Sequence, residues 1–250
     1  MKRHKSVLQL FIRSSFLQVL AVCLVVSMAE CILFFRTWEK LNVQYQAGEL
    51  RVLMLENVIE NANFFYCFIA GIAVITMFLN RIGRNMGGRQ EYTLYRLQIT
   101  PKQVFLWQAL YNSCCYILFW AVQAVVAFLL CLYFVRTADS SMVTNQSLFL
   151  AFYRSDFLHA LLPLEHMAGW ICNLSWFIAL GWSVAYDTYV NRRGKHTIWM
   201  YAVLIGGFFC FMQGLEGSAA LWTFIFLYIV SLAVMGFFTL KEGKWTVDGE

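Results

Sequence analysis

The sequence has little charge and almost no proline. Of its 250 residues, 13% are charged and two are proline, whereas 60% are apolar. Soluble domains have about 25% charged residues, and one of this length would expose much of its apolar surface to water. Intrinsic disorder is excluded because aromatic residues make up 18% of the chain. The chain is therefore predicted to be an integral membrane protein.

The sequence also lacks the short motifs of common catalytic and cofactor sites. It has no G-x-x-x-x-G-K-[ST] segment, so we expect no phosphate-binding loop for ATP. Its four histidines form no H-E-x-x-H motif, and its eight cysteines form no C-x-x-C pair. The cysteines lie in apolar runs, as small buried hydrophobic residues do. We expect no catalytic residue, metal site or cofactor on this chain, and no binding to nucleic acid.

Six apolar runs approach the length of a membrane-spanning helix, about 20 residues. Strand-like alternation is absent from them. The predicted fold is an all-α integral membrane protein with one transmembrane domain over residues 1–250. The predicted spans are approximately Phe16–Phe35, Asn63–Leu79, Val104–Val135, His166–Tyr186, Thr197–Met212 and Ala219–Leu240.

The basic residues alternate along the predicted connections. Fourteen of the nineteen Lys and Arg residues lie in the N-terminal segment, the second and fourth connections and the C-terminal tail, and five lie in the others. By the positive-inside rule, both termini are predicted to be cytoplasmic, in a multi-pass protein of the cell membrane. The segment 1–15 combines basic and apolar residues, which fits either an amphipathic interfacial helix or a basic flank of the first span.

The connection at residues 136–165 is predicted to be extracytoplasmic. Ser155 or Asp156 is expected to cap a short helix there, which ends at Pro163. Its apolar residues are expected to rest on the membrane; they are Phe157, Leu158, Leu161 and Leu162.

The second cytoplasmic connection, residues 80–103, contains turn, helix and capping signals in addition to the basic residues that orient a membrane protein. Three glycines predict a flexible turn at its start, and residues 90–98 have helix-compatible spacing. Thr100 is a predicted N-cap, with Pro101 at the first helical position and Gln103 at the third. The simpler interpretation is a basic loop that only obeys the positive-inside rule. A docking helix followed by a long membrane helix is favoured by Glu91, by the Thr-Pro cap and by two tyrosines, Tyr92 and Tyr95.

This segment resembles the coupling helix of ABC-2-type (type V) ABC transporter permease subunits. The matching residues are Glu91, Thr93, Leu94, Leu97, Thr100 and Pro101, while Tyr92 stands where that family often has glycine. The resemblance implies ABC ATPase subunits as partners, which hold ATP and Mg²⁺, and a second permease copy or a sibling permease subunit beside the chain. The residues implied to couple to the ATPase are Arg89, Gln90, Glu91, Tyr92, Thr93, Tyr95, Arg96, Thr100 and Pro101.

A few polar residues lie within the predicted spans. Glu30 is ionisable, and we weigh a functional role against a carboxyl group close enough to the surface to reach water. A functional Glu30 is expected to be protonated, paired with Arg36 or wetted by an outer cavity. Four amides allow two interpretations, a translocation path or hydrogen bonds between helices; they are Gln108, Asn112, Gln123 and Asn173. Gly181 and Ala185 form a small-x-x-x-small pair suited to close helix contact.

These features predict the permease subunit of an ATP-driven exporter for an amphipathic peptide, lipid or drug-like substrate. The alternative is a vitamin-type substrate-binding membrane subunit, or another small carrier without this coupling mechanism. A membrane enzyme would need several titratable residues at one depth, and only Glu30 has that character in the sequence. A structural or signalling membrane protein is the fourth class.

Overall fold

A computed structural model describes residues 2–48, 54–84, 100–138, 147–164, 167–192, 194–212 and 218–241. These residues form helices and connections, with no strand among them. The helices are α1 (Lys2–Gln46), α2 (Leu55–Asn61), α3 (Phe64–Arg84), α4 (Pro101–Thr137), α5 (Ser147–Arg154), α6 (Asp156–Leu161), α7 (Met167–Asn191), α8 (Trp199–Met212) and α9 (Ser218–Lys241).

Five of the described helices are long and apolar enough to cross a membrane, and they are α1, α3, α4, α7 and α9. In such a helix every backbone polar group except those at the ends is satisfied within the segment, as the hydrocarbon core requires. The prediction of an all-α, multi-pass membrane protein is therefore confirmed at the level of helices and their apolar length.

The predicted fifth span differs from the structure, where α8 has 14 residues. At 1.5 Å per residue it is about 21 Å long, shorter than a hydrocarbon core of about 30 Å. The backbone bonds of the helix begin with the Ala202 N–H donating to the Ile198 carbonyl, and the Thr197 hydroxyl accepts a hydrogen bond from the Trp199 N–H at 3.1 Å. Within the described residues, α8 is thus an apolar helix below spanning length.

Of the two interpretations of residues 1–15, an interfacial helix or a basic flank of the first span, the structure shows no boundary that would separate such a helix from the span. Both belong to α1, which has 45 residues and neither glycine nor proline from Lys2 to Gln46. Ser14 and Ser15 donate their hydroxyls to the Phe11 carbonyl within the same helix, at 2.9 and 3.0 Å. Since none of these residues interrupts the backbone hydrogen bonds, the helix continues for about 68 Å.

The centre of the bundle is formed by α4 and α7. Helix α7 lies against α4, α9, α8 and α3, and α1 lies against α4 and α3. An aromatic cluster fills the space among α3, α4, α7 and α8. In it, Phe68 stacks on Phe211 with ring centroids 4.8 Å apart, and Phe119 stacks on Phe68 at 5.6 Å. Trp176 is fully buried at the same place, 6.1 Å from Phe211.

The short helix α6 begins after Ser155 and ends before Pro163, where the sequence predicts a helix. The prediction that its apolar face rests on the membrane is wrong. Phe157, Leu158 and Leu161 are buried inside the protein. The reason is tertiary packing, since the Phe157 ring contacts the rings of Phe64 and Phe68 at 6.0 and 6.1 Å.

Candidate functional site

Most of the predicted coupling residues lie outside the described residues. These are Arg89, Gln90, Glu91, Tyr92, Thr93, Tyr95 and Arg96. Thr100 and Pro101 are described, and they stand at the N-cap and at the first turn of α4. The predicted start of the long helix after the connection is therefore confirmed.

The predicted capping box differs in its side-chain bonds. Thr100 has the extended backbone of an N-cap, but its hydroxyl makes no cap hydrogen bond. Its carbonyl instead accepts the N–H groups of Gln103 at 2.9 Å and Val104 at 3.1 Å. Pro101 lacks an N–H, so one of the orphan donors of a helix start is removed. The start is thus defined by backbone geometry and proline.

The first turns of α4 join α7 and α9 in a second apolar cluster. Phe105 and Ala109 on α4 pack with Tyr186, Tyr189 and Met235. The Phe105 ring lies 5.8 Å from the ring of Tyr189. This cluster, which we call the α4–α7–α9 cluster, packs the start of α4 against α7 and α9.

A hydrogen bond and a buried acid accompany this cluster. The amide of Gln108 donates to the hydroxyl of Thr188 at 2.8 Å, which joins α4 to α7. Asp187 is 2% exposed and accepts a hydrogen bond from the Asn191 amide at 2.8 Å. The predicted span ends at Tyr186, which leaves Asp187 in the connection, whereas α7 continues to Asn191. The run of Thr188, Tyr189 and Val190 before the next glycine is the signal that α7 continues.

The polar side chains of α4 lie on its buried side at helical spacing. The amide of Asn112 donates to the Gly181 carbonyl on α7 at 3.4 Å. Close approach is needed there, because a Cβ on Gly181 would lie 2.5 Å from the backbone nitrogen of Ser113. The sequence-based prediction that Gly181 supports close helix contact is confirmed.

Glu30 and Gln123 form a buried pair between α1 and α4. They are 2% and 1% exposed. With the Gln123 amide nitrogen facing the carboxyl group, the nitrogen lies 2.5 Å from both carboxyl oxygens and donates to them. The predicted pairing with Arg36 is wrong, because six residues along a continuous helix turn a side chain by about 240°, away from Glu30. The interpretation that the Glu30 carboxyl group reaches surface water is also wrong, because Glu30 is buried inside the protein.

Asn173 fastens a connection to the bundle. Its amide donates to the Ala160 carbonyl of α6 at 2.8 Å. In the described chain, each of the four amides named from the sequence bonds a different helix from its own. The geometry of the described chain therefore places them as contacts between helices.

Two tyrosine contacts were not anticipated from the sequence. The Tyr111 and Ser15 hydroxyls lie 2.7 Å apart, joining α4 to α1. The Tyr116 hydroxyl lies 2.7 Å from that of Thr76, joining α4 to α3. The sequence feature that could have predicted them is a tyrosine within an apolar span, because a buried tyrosine hydroxyl usually has a hydrogen-bond partner.

Acidic residues gather where α2 meets α5 and α6. Arg154 pairs with Glu56 at 3.6 Å. Partial burial, followed by the charges of Asp156 and Glu56, raises the pKa of Glu60 above its ordinary value of 4.5. This group of carboxyl groups therefore favours binding a proton at Glu60.

An apolar groove of about 510 Å³ lies between α1 and α3. Small side chains line it and leave it open, including Ala21, Ala29, Ala70 and Gly71.

Within the described ranges, no three His, Cys, Asp or Glu residues are grouped to hold a metal ion. The reactive or polar side chains of the described helices are therefore not arranged as a metal site.

Comparison with known proteins gives no relative for this chain. No protein-family model matches it, and searches of curated proteins and of solved structures give no match either.

Proposed function

We propose that the chain is a membrane permease subunit of an ATP-driven ABC exporter. Its cargo class is an amphipathic peptide, lipid or drug-like molecule. ATP and Mg²⁺ bind a separate ATPase subunit, and a second permease, identical or a sibling, completes the transporter. The observation that carries the proposal is the sequence of residues 80–103, with Glu91, Thr93, Thr100 and Pro101 in the order typical of a coupling helix.

The surroundings of that connection support the proposal. It joins two long helices, α3 and α4, and α4 begins within it at Pro101. Through Phe105 and Gln108, the start of α4 packs on α7 and α9. A force on the connection would therefore act on three long helices at once. Domain rocking of packed helices between two states is a common way to couple such a displacement to function.

The lipid-facing surfaces also fit a subunit of a larger membrane assembly. Large apolar side chains are exposed along α9, including Phe226, Ile229 and Phe237. Only 17% of the apolar window of α9 is buried inside the chain. In the proposed transporter, this surface contacts membrane lipid and the second permease, with both termini in the cytoplasm.

The first experiment reverses the charges of the coupling segment. We expect Glu91→Arg with Arg96→Glu to reduce co-purification of the ATPase subunit in mild detergent, and to reduce ATPase activity of the isolated complex. A matched control reverses Glu39→Arg and Lys40→Glu, which are exposed residues near the opposite end of the first span. The control should retain both readouts, because it lies at the other predicted membrane surface.

Unchanged ATPase association and activity in the Glu91 and Arg96 variant would remove these residues from a coupling role. The absence of any ATPase from the wild-type preparation, under conditions that preserve other such complexes, would contradict the proposal. High-affinity binding of a small solute by the isolated chain would favour the alternative of a substrate-binding membrane subunit.

A further inference from the structure

Two thiols from different helices meet in the bundle. Cys172 of α7 and Cys210 of α8 have their sulfur atoms 3.6 Å apart. Cys172 is buried, whereas Cys210 is partly exposed. A disulfide needs a sulfur–sulfur distance of about 2.05 Å. The thiols are therefore in contact, about 1.5 Å beyond the bonding distance.

The pair lies at one end of both helices. Cys172 follows the start of α7 at Met167 by five residues, and Cys210 precedes the end of α8 at Met212 by two. With cytoplasmic termini, as the charge distribution predicts, this end faces the extracytoplasmic side. Disulfides form and persist in oxidising compartments, whereas cytosolic thiols are kept reduced.

A third helix contributes a polar group to the same place. Tyr228 of α9 is 4% exposed, and its hydroxyl has no hydrogen-bond partner among the described residues. It is close enough to Cys172 and Cys210 for electrostatic interaction with both. Cys172, Cys210 and Tyr228 all belong to the buried core or pack against it, so the two thiols lie where α7, α8 and α9 meet.

The helix that Cys210 belongs to has few other polar attachments. Trp176 donates its indole N–H to the Val203 carbonyl of α8 at 3.2 Å. The ring of Trp176 also lies where a Cβ on Gly207 would stand. These contacts position α8 against α7, and they hold the two thiols in register.

We propose that Cys172 and Cys210 form a reversible disulfide that fastens the short helix α8 to α7. The oxidant is a small disulfide outside the membrane, such as oxidised glutathione. The partly exposed Cys210 thiolate attacks one sulfur of that disulfide, which forms a mixed disulfide and releases one small thiol. The Cys172 thiolate then attacks the Cys210 sulfur and releases the second small thiol. Two protein thiols are oxidised, one small disulfide is reduced, and the two thiol protons pass to the departing thiolates.

The test uses the full-length chain in membranes and in mild detergent. The protein is incubated with oxidised glutathione, free thiols are alkylated, and the peptides are examined by mass spectrometry without reduction. The expected result is a linked pair of peptides containing Cys172 and Cys210, which disappears when the sample is treated with a phosphine reductant first. Cys172→Ser and Cys210→Ser should each abolish the linked pair.

Cys114→Ser provides the matched control, because Cys114 is an exposed thiol on α4. This variant should retain the linked pair. Alkylated Cys172 and Cys210 without a linked pair after oxidation would overturn the proposal, and so would links from Cys172 or Cys210 to other cysteines.

Thermal unfolding measures whether the bond fastens the helix. Oxidation should raise the unfolding temperature of the wild-type chain by at least about 4 °C, and phosphine should reverse the rise. Cys210→Ser should show no response to the oxidant. A linked pair without a change in unfolding temperature would refute the fastening role, whatever the fate of the proposed transport function.

Discussion

The buried pair of Glu30 and Gln123 predicts an energetic coupling between α1 and α4. Both residues are almost fully buried, and with its amide nitrogen facing the carboxyl group, Gln123 donates to both carboxyl oxygens. Gln123→Leu leaves the carboxyl group without this partner. A buried polar group left unsatisfied costs about 1–3 kcal/mol. Hydrogen bonds between membrane helices average about 0.6 kcal/mol and reach about 1.7 kcal/mol in double-mutant cycles.

We therefore expect Gln123→Leu to lower the free energy of unfolding by about 1–2 kcal/mol. For a chain of this size that equals a fall in unfolding temperature of about 2–8 °C. The double variant Glu30→Leu with Gln123→Leu should lose less than the two single changes together, because neither polar group is then left unpaired. The predicted coupling energy from this cycle is about 1–2 kcal/mol. Glu30→Gln should remain close to wild type, since an amide of similar volume still bonds Gln123.

The assay is reversible unfolding in mixed detergent micelles, followed by tryptophan fluorescence. Gln18→Leu is the matched control, because Gln18 is exposed on α1 and the substitution is chemically the same. It should change the unfolding free energy by less than about 0.5 kcal/mol. Additive effects of Glu30→Leu and Gln123→Leu would refute the reasoning, as would equal effects of Gln123→Leu and Gln18→Leu.

Two further predictions concern helix packing and pH. Gly181→Ala should destabilise the chain by roughly 1–3 kcal/mol in the same assay, because the new methyl group meets the Ser113 backbone; Gly206→Ala, which meets nothing within 4 Å, should be neutral or stabilising by up to about 1 kcal/mol. Equal effects of the two changes would contradict the close α4–α7 contact. The raised pKa of Glu60 means that the folded chain binds this proton at higher pH than the unfolded chain, so this contribution to stability is lost as pH rises through the folded pKa. Glu60→Gln should therefore unfold at a higher temperature than wild type at pH 7, and the difference should shrink as the pH falls towards 4.5; a constant difference in thermal scans across that range would argue against the carboxyl group as its source.

Local pattern was sufficient to predict the regular parts of the fold. The apolar runs predicted the positions of α3, α4, α7 and α9, because a membrane helix satisfies its backbone within its own segment. The helix start at Pro101 and the short helix after Ser155 also followed from local chemistry. These predictions succeeded because capping and backbone hydrogen bonds involve residues within one turn of each other.

Helix ends without a strong local signal were predicted less well. One of the two interpretations of segment 1–15 separated it from the first span because it combines basic and apolar residues, yet charge does not break a backbone hydrogen bond. Helix α7 passes the predicted end at Tyr186 and buries Asp187, since neighbouring helices supply an environment that hydropathy does not register. Helix α6 buries its apolar face in protein for the same reason.

The sequence by itself determined that this chain is helical, apolar and charged chiefly outside its predicted spans, and it supplied the resemblance in residues 80–103. Only the tertiary structure decided which polar groups meet. It paired Glu30 with Gln123 and Cys172 with Cys210, each across two helices. The physical reason is that helix formation depends on neighbours along the chain, whereas a contact between helices depends on how each one is rotated and packed. The same amide or thiol on another face of its helix would have pointed into lipid.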